Sequence, residues 1–246
     1  MSFIYAHRGA SGHAPENTLE SFALAVSMGA DGVELDVHIS ADGELIVIHD
    51  EKVDRTTNGT GYVKDLTLEQ LKALDASCGK EAYRGAKIPT LGEVYDLLRD
   101  TGLHVNVEIK TDQFMYPEIE KKCLEMEREK GMQGRVLYSS FNHYTIANLL
   151  QLDPDARTGL LYMSGLYQPW SYAKNVGATH IHPFFPNILL PDLPKDCLAN
   201  GVGINMWTVN DAGVMAQCVQ YGVGIITDYP DLAVAVRKKQ LGKALD

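Results

Sequence analysis

Short runs of β-branched and aromatic residues alternate along the chain with longer segments in which apolar residues recur every three or four positions. The short runs predict strands and the longer segments predict amphipathic helices. Nine segments have the strand pattern: 3–9, 32–40, 44–50, 104–110, 135–140, 157–163, 179–183, 203–209 and 224–230. Helical patterns cover 18–29, 117–131, 142–153, 168–177, 193–201, 211–222 and 231–242. This alternation is typical of parallel strands joined by crossover helices.

Nine strands are one more than a closed barrel of eight requires. Only residues 41–43 separate the second strand from the third, which is too short for a parallel crossover but suits a hairpin. The third strand is therefore predicted to run antiparallel, and eight parallel strands remain for an α/β fold of the TIM-type (β/α)8 barrel class. The hairpin register places His49 opposite Leu35, diagonal to Glu34 and Asp36.

Residues 50–92 interrupt the alternation of strands and helices. They contain turn signals at 58–59 and a capped helix start at Thr67, with Gln70 three positions later, but little strand pattern. We therefore expect a single domain over residues 1–246 in which 50–92 form a small insertion after the hairpin. Such an insertion would rise from the top of the barrel and could cover a site there.

Composition and charge narrow the class of protein. A chain of 246 residues that is 45% hydrophobic can bury the core of one large domain. The net charge of -10 argues against nucleic-acid partners and anionic membranes. No signal-peptide pattern and no run of roughly 18 apolar residues is present, so we expect a cytoplasmic protein without membrane insertion. The four cysteines are far apart, which predicts reduced and mostly buried thiols.

Acidic residues lie at the ends of two predicted strands. Glu34 and Asp36 share one strand face because side chains alternate, and Glu108 and Lys110 repeat this spacing with Asn106 on the same face. Converging carboxylates repel one another unless a cation lies between them, and a site of oxygen ligands favours Mg²⁺ or Ca²⁺ over zinc. We therefore predict Glu34, Asp36 and Glu108 as metal ligands. The alternative is that they are ordinary acids paired with basic neighbours.

Two basic residues and two histidines also lie at predicted strand ends. Arg8 and Lys110 would form a cationic pocket that suits a small phosphate group. His7 and His49 are placed for proton transfer, because an imidazole can act as general base or general acid near neutral pH. Cleavage of a phosphodiester needs both roles, one for the attacking oxygen and one for the leaving alkoxide. A structural role for each histidine is the alternative.

These motifs resemble those of the glycerophosphodiester phosphodiesterase family. The resemblance rests on HRGASGHAPENT, GADGVELDV, DGELIVIHD with RTTNG, VEIK, MWTVN and TDYP, in that order from His7 to Pro230. It implies a barrel like that of the phosphatidylinositol phospholipases. It also implies an enzyme that hydrolyses glycerophosphodiesters such as glycerophosphocholine and glycerophosphoethanolamine. The products would be an alcohol and sn-glycerol 3-phosphate, and a divalent cation would be bound.

The resemblance also implies a role for individual residues. The implied catalytic pair is His7 and His49, the implied metal ligands are Glu34, Asp36 and Glu108, and the implied phosphate contacts are Arg8 and Lys110. An insertion after the HD strand is typical of the family, which agrees with residues 50–92.

Other residues near the predicted strand ends have weaker signals. Trp207 could hold the glycerol carbons on its ring, or it could pack the barrel. Glu16 is expected to brace Arg8, and Asn17 or Thr18 to cap the following helix. His180 and His182 share one strand face as an HxH pair, which supplies metal ligands in amidohydrolases, but a structural role is favoured here. Helix caps are predicted at Asn210 and Asp228, and surface or capping roles for His13, His38, His104 and His143.

Several alternatives stay open at this stage. The attacking oxygen could be water or the glycerol 2-hydroxyl, and either histidine could be the base. Cleavage of a lipid phosphodiester and a barrel that binds phosphodiesters without cleaving them are alternative functions. The expected partner is a small-molecule glycerophosphodiester substrate, and the chain could be a monomer or a homodimer.

Overall fold

Eight parallel strands close into a barrel in the computed structural model, which describes residues 2–243. Around the barrel they are β1 (Ile4–His7), β2 (Gly32–Ile39), β4 (His104–Ile109), β5 (Val136–Ser140), β6 (Thr158–Tyr162), β7 (His180–Pro183), β8 (Gly203–Met206) and β9 (Gly224–Thr227). β9 pairs with β1, which closes the ring. The predicted TIM-type barrel is confirmed.

The ninth strand, β3 (Leu45–Val47), pairs antiparallel with β2. Val37 lies opposite Val47 and Ile39 opposite Leu45, which is the predicted register. The amide of Ile48 donates to the carbonyl of Asp36 at 3.1 Å and extends the pairing. The hairpin therefore turns the chain back along β2 and brings residue 48 beside Asp36.

Helices cover the outside of the barrel. They are α1 (Leu19–Ser27), α3 (Leu91–Leu98), α4 (Ile119–Glu129), α5 (His143–Leu152), α6 (Pro169–Val176), α7 (Leu193–Ala199), α8 (Ala212–Tyr221) and α9 (Pro230–Lys243). None of the helices within the described residues has the length and apolar character needed to cross a membrane. Cys123, Cys197 and Cys218 are buried free thiols, whereas Cys78 is exposed.

The helix α3 was not predicted from the sequence. It begins with a capping box in which Thr90 and Glu93 satisfy each other's backbone amides, and it buries one apolar side. Its fully buried apolar side chains are Leu91, Val94, Tyr95 and Leu98. Since α3 provides the crossover from the hairpin to β4, the barrel alternation resumes at residue 91, just before the expected end of the insertion.

The segment between the hairpin and α3 packs as a small unit beside the barrel mouth. It contains α2 (Leu68–Ala73), which begins with the predicted Thr67 and Gln70 capping box. A separate apolar cluster fills it: Ile46, Ile48, Val53, Val63, Leu71, Ala76 and Ile88. Lys80 Nζ donates to the carbonyls of Ser11 and Ala14, at 3.2 and 2.9 Å, and so ties the segment to the loop after β1.

Alternation along β2 separates the core from the site. Val33, Leu35 and Val37 face outward and are completely buried in the main apolar cluster. Glu34 and Asp36 face the opposite side, into the barrel. The polar side chains therefore project inward because the apolar ones pack under the helices.

Candidate active site

A cavity opens at the carboxyl ends of the barrel strands. Its lining residues are His7, Arg8, Glu34, His49, Asn106, Glu108, Ser139, Phe141, Leu161, Trp207, Thr208 and Ile226. Six of the eight predicted site residues are among them. The other two, Asp36 and Lys110, lie behind the lining and contact it.

The three predicted carboxylates converge at the base of the cavity. One oxygen each from Glu34, Asp36 and Glu108 lies within 4.8 Å of the others, and all three residues are buried. Burial, and then repulsion by Asp36 and Glu108, raises the pKa of Glu34. Burial would also raise the pKa of Asp36, but the charges of His49 and Arg8 outweigh it and lower this pKa. The surroundings thus disfavour the negative charge of Glu34 and favour that of Asp36.

The hydrogen bonds of Asp36 indicate that this cluster fits a cation. One oxygen, Oδ2, accepts from Asn17 Nδ2 at 2.9 Å, while Oδ1 is buried and has no hydrogen-bond partner within residues 2–243. A buried carboxylate oxygen without a donor is unfavourable in an apolar surrounding. Hard divalent cations such as Mg²⁺ and Ca²⁺ prefer oxygen ligands of this kind. The donor set therefore fits a divalent metal ion.

His7 at the end of β1 is held by Asp228 after β9. His7 Nδ1 donates to Asp228 Oδ1 at 2.6 Å, and Ser11 and Asn210 also donate to this carboxylate. Burial would raise the pKa of Asp228, but these hydrogen bonds and the charge of His7 lower it to about 2. Asp228 is therefore ionised and keeps His7 in the Nδ1–H tautomer, with Nε2 free, 4.0 Å from Glu34 Oε2.

Asp228 and Asn210 were predicted to cap helices, and both have other roles in the structure. The carboxylate of Asp228 accepts from side chains of other loops, so it orients His7 instead of capping a helix. Asp211 accepts the first amides of α8, while the Asn210 side chain accepts from the amide of Asp228 at 3.0 Å. The sequence did not reveal this because His7 and Asp228 lie at opposite ends of the chain.

His49 has a similar arrangement after β3. Its Nδ1 donates to Asp50 Oδ1 at 2.6 Å, and Asp50 in turn accepts from Arg55 Nε at 2.7 Å. The hydrogen bonds from Arg55 are the main reason that the pKa of Asp50 is lowered. His38, predicted as a surface or capping residue, is buried instead, and its Nε2 lies 3.1 Å from the carbonyl of His49.

Arg8 adopts a left-handed backbone conformation with φ of 55°, which is unfavourable for a residue with a side chain. This conformation lets its amide donate to Glu34 Oε2 at 3.0 Å. Its Nη1 donates to Glu16 Oε1 at 2.9 Å, as predicted. Thr18 caps α1, whereas Asn17 binds Asp36.

Lys110 lies among the carboxylates. Its Nζ donates to Glu108 Oε1 at 2.7 Å and is 3.9 Å from Asp36 Oδ1. Burial would lower the pKa of Lys110, but these two carboxylates outweigh it and raise this pKa. Lys110 therefore remains charged beside the cavity.

An aromatic wall faces these charged groups. The Trp207 ring lies 5.3 Å from that of Phe141 and 5.4 Å from that of Phe184, measured between centroids. Trp207 Nε1 donates to the carbonyl of His182 at 2.7 Å, so the polar edge of the indole is satisfied by the barrel. His182 itself is buried against Asn205, and burial lowers its pKa far below the usual value, which agrees with a structural role.

Five residues that line the cavity were not assigned to the site from the sequence: Ser139, Phe141, Leu161, Thr208 and Ile226. Three residues that hold the site's side chains in place were also not assigned to it: Asp50, Arg55 and Asp228. Asp50 had a local signal, because it directly follows His49. Arg55 and Asp228 had only their places in the RTTNG and TDYP motifs, which do not show what they contact, since their contacts join loops that are distant along the chain.

Comparison with known proteins identifies similar chains. Residues 7–232 match the model of the glycerophosphoryl diester phosphodiesterase family. A glycerophosphodiester phosphodiesterase of Caldanaerobacter subterraneus subsp. tengcongensis is 45% identical over 97% of this chain and 98% of that protein. One from Bacillus altitudinis is 41% identical over 97% and 99%. An Oleispira antarctica phosphodiesterase, solved in complex with the product sn-glycerol-3-phosphate, is 28% identical with a TM-score of 0.90 and 97% of each chain covered.

Proposed function

The chain belongs to the glycerophosphoryl diester phosphodiesterase family and is a glycerophosphodiester phosphodiesterase, and from this premise we propose how its residues act. The proposed reaction is the metal-dependent hydrolysis of small glycerophosphodiesters, such as glycerophosphocholine or glycerophosphoethanolamine, to an alcohol and sn-glycerol 3-phosphate. The observation that carries it is the cavity itself, where two carboxylate-held histidines lie beside a buried carboxylate cluster.

We assign the binding of the cation to Glu34, Asp36 and Glu108. When bound, Mg²⁺ or Ca²⁺ supplies positive charge that stabilises the negative charge developing on the phosphoryl oxygens. The three carboxylates are already arranged around one point, which supports the assignment. Arg8 and Lys110 contribute the cationic donors for the phosphate.

His7 and His49 carry the proton transfers in this scheme. One imidazole accepts the proton of the attacking oxygen as the new P–O bond forms. The other donates a proton to the alkoxide as the second P–O bond breaks. Because each Nδ1–H is bound to a carboxylate, each Nε2 stays available for these transfers. The attacking oxygen is that of water or of the glycerol 2-hydroxyl, which would first give a cyclic phosphate.

The remaining assignments concern substrate and context. Trp207 offers its ring face to the glycerol carbons, since its indole nitrogen is occupied by the barrel. We propose that the whole chain acts as one catalytic domain, with 50–92 as a small insertion. We also propose a cytoplasmic location, and the net charge of -10 argues against nucleic-acid partners. Light scattering would distinguish the monomer from the homodimer.

The test of the histidine roles is the release of glycerol 3-phosphate from glycerophosphocholine and glycerophosphoethanolamine. We expect His7→Ala and His49→Ala each to lose turnover by about 100-fold or more. His13→Ala is the matched control, because His13 is a surface histidine that also pairs with a carboxylate, Asp231. Equal turnover in the His49 variant and the control would refute the assignment, and tight binding without turnover in the wild type would indicate a binding protein.

A second candidate function has an observation of its own. The most exposed large apolar side chains among residues 2–243 are Met115, Tyr144, Met163, Tyr167 and Leu189, which are 59% to 90% exposed. All five follow β4, β5, β6 or β7, at the end of the barrel where the cavity opens. An apolar rim beside a phosphodiester site suits a substrate with one acyl chain, such as a lysophospholipid.

Release of choline from lysophosphatidylcholine tests this second candidate. If the rim holds the acyl chain, Tyr167→Ser lowers turnover of the lipid but not of glycerophosphocholine. No turnover of the lipid by the wild type, or equal effects on both substrates, would exclude it.

A further inference from the structure

Arg55 connects two parts of the active site that belong to different loops. Its Nε and Nη2 donate to Asp50 at 2.7 and 2.9 Å, and its Nη1 and Nη2 donate to Glu16, both at 2.8 Å. Asp50 holds His49, and Glu16 holds Arg8. We propose that Arg55 is a positioning residue that fixes the proton-transfer histidine relative to the phosphate-binding arginine. This inference rests on the proposed function of His49 and Arg8.

The chemistry of the side chain explains why an arginine is needed. A guanidinium has donors on two edges in a fixed plane and can bind two carboxylates at once, whereas a lysine ammonium is a single point charge. An exposed ion pair usually contributes little, and Arg55 is 45% exposed. Here, however, each bound carboxylate already has a partner in the site, so loss of Arg55 would free both to move.

The charges of the two carboxylates depend on Arg55. Its hydrogen bonds are the largest cause of the lowered pKa of Asp50. Burial would raise the pKa of Glu16, but hydrogen bonds from Arg55 and the charge of Arg8 outweigh it and lower this pKa. Both carboxylates are therefore ionised acceptors of hydrogen bonds from Arg55. Hydrogen bonds thus link five residues in this order: Arg8, Glu16, Arg55, Asp50 and His49.

The position of Arg55 also indicates a role for the insertion. Arg55 lies in the turn after Val53, whose side chain is buried in the apolar cluster of the insertion. The amide of Thr57 donates to the carbonyl of Val53 at 3.1 Å and closes this turn around Arg55. The folded insertion thus presents the guanidinium to Asp50 at its own start and to Glu16 in the loop after β1, without lining the cavity itself.

The kinetic test compares Arg55→Gln and Arg55→Lys with the wild type on glycerophosphocholine. Because Arg55 acts on both a proton-transfer and a phosphate-binding group, we expect Arg55→Gln to lower kcat and raise KM, with kcat/KM reduced about 10- to 100-fold. Arg55→Lys should recover only part of this loss. In a third variant, Arg55→Ala, guanidinium ion added to the assay should restore turnover. The matched control is Arg84→Gln, in the same insertion, where Arg84 pairs with the exposed Glu81.

A kcat/KM for Arg55→Gln that matches the control would overturn the proposal. A loss of kcat/KM would also overturn the proposal if it matched the fraction of unfolded protein, measured by urea unfolding, and if guanidinium did not restore turnover of Arg55→Ala.

A second measurement does not depend on turnover. In ¹⁵N spectra of the histidine rings, Arg55→Gln should shift the His49 signals and leave those of His13 unchanged, while Arg84→Gln shifts neither. Unchanged His49 signals would overturn the proposal even for an active enzyme. A wild type that cleaves no glycerophosphodiester but shows the shift would refute the proposed function and leave the positioning of His49 by Arg55 supported.

Discussion

Replacement of Asp228 by asparagine removes one charge while keeping the shape of the side chain. Asp228 is the acceptor for His7 Nδ1 at 2.6 Å and has a pKa lowered from 3.8 to about 2. A shift of this size corresponds to roughly 2 kcal/mol, shared among His7, Ser11 and Asn210. A hydrogen bond to a charged group contributes about 1.5–3 kcal/mol. If most of this energy orients His7, kcat/KM should fall about 10- to 100-fold.

The same pKa shift gives a pH dependence with a defined sign. The folded-state pKa of Asp228 is lower than its usual value, so its stabilising contribution is present above about pH 4 and is lost as the pH falls toward 2. In urea unfolding, Asp228→Asn should therefore be less stable than the wild type at neutral pH by at most about 2 kcal/mol. The difference should shrink as the pH approaches 2.

The assay measures kcat and KM for glycerophosphocholine with the wild type, Asp228→Asn and Asp231→Asn. Asp231 is a matched control because it also pairs with a histidine, His13, but this pair is exposed and outside the cavity. The reasoning is refuted if Asp228→Asn retains as much activity as Asp231→Asn while its stability difference is as expected.

Three further outcomes are expected. Lys110→Met should raise KM about 10-fold or more, because a charged phosphate contact is lost, as measured by steady-state kinetics. Trp207→Ala should raise KM for glycerophosphodiesters more than Trp207→Phe does, since a phenyl ring retains an aromatic face. Gly159→Ala should lower the free energy of unfolding by about 1–3 kcal/mol in urea, because the new Cβ would lie 2.5 Å from His182 Nε2. Gly242→Ala is the control, because its added Cβ would have no heavy atom within 4 Å among residues 2–243 outside its own helix backbone and chain neighbours.

The barrel could be predicted from the sequence because its signals are local. Strand patterns, the three-residue connection at 41–43 and side-chain alternation fixed the strand count and the β2–β3 register. The same alternation placed Glu34 and Asp36 on one face. The helix α3 was missed because its capping box lies within a segment read as an insertion.

Contacts across the barrel could not be predicted in this way. Alternation gives the face on which a side chain lies but not which distant loop meets it. Asp228 reaches His7 only because β9 closes against β1, and Arg55 reaches Glu16 only because the insertion folds over the loop after β1. These pairings depend on packing between distant elements, and the local sequence of each element does not show which other element it contacts.

The most direct test of the whole account is turnover of glycerophosphocholine by metal-free enzyme during titration with Mg²⁺ and Ca²⁺. The account predicts no turnover after chelation, recovery with at least one of the two ions, and a Glu108→Gln variant that binds the ion weakly and recovers little. Exposed Glu118→Gln serves as the control and should recover like the wild type. Full turnover in the presence of chelator, or equal recovery in the two variants, would contradict the assigned carboxylate site.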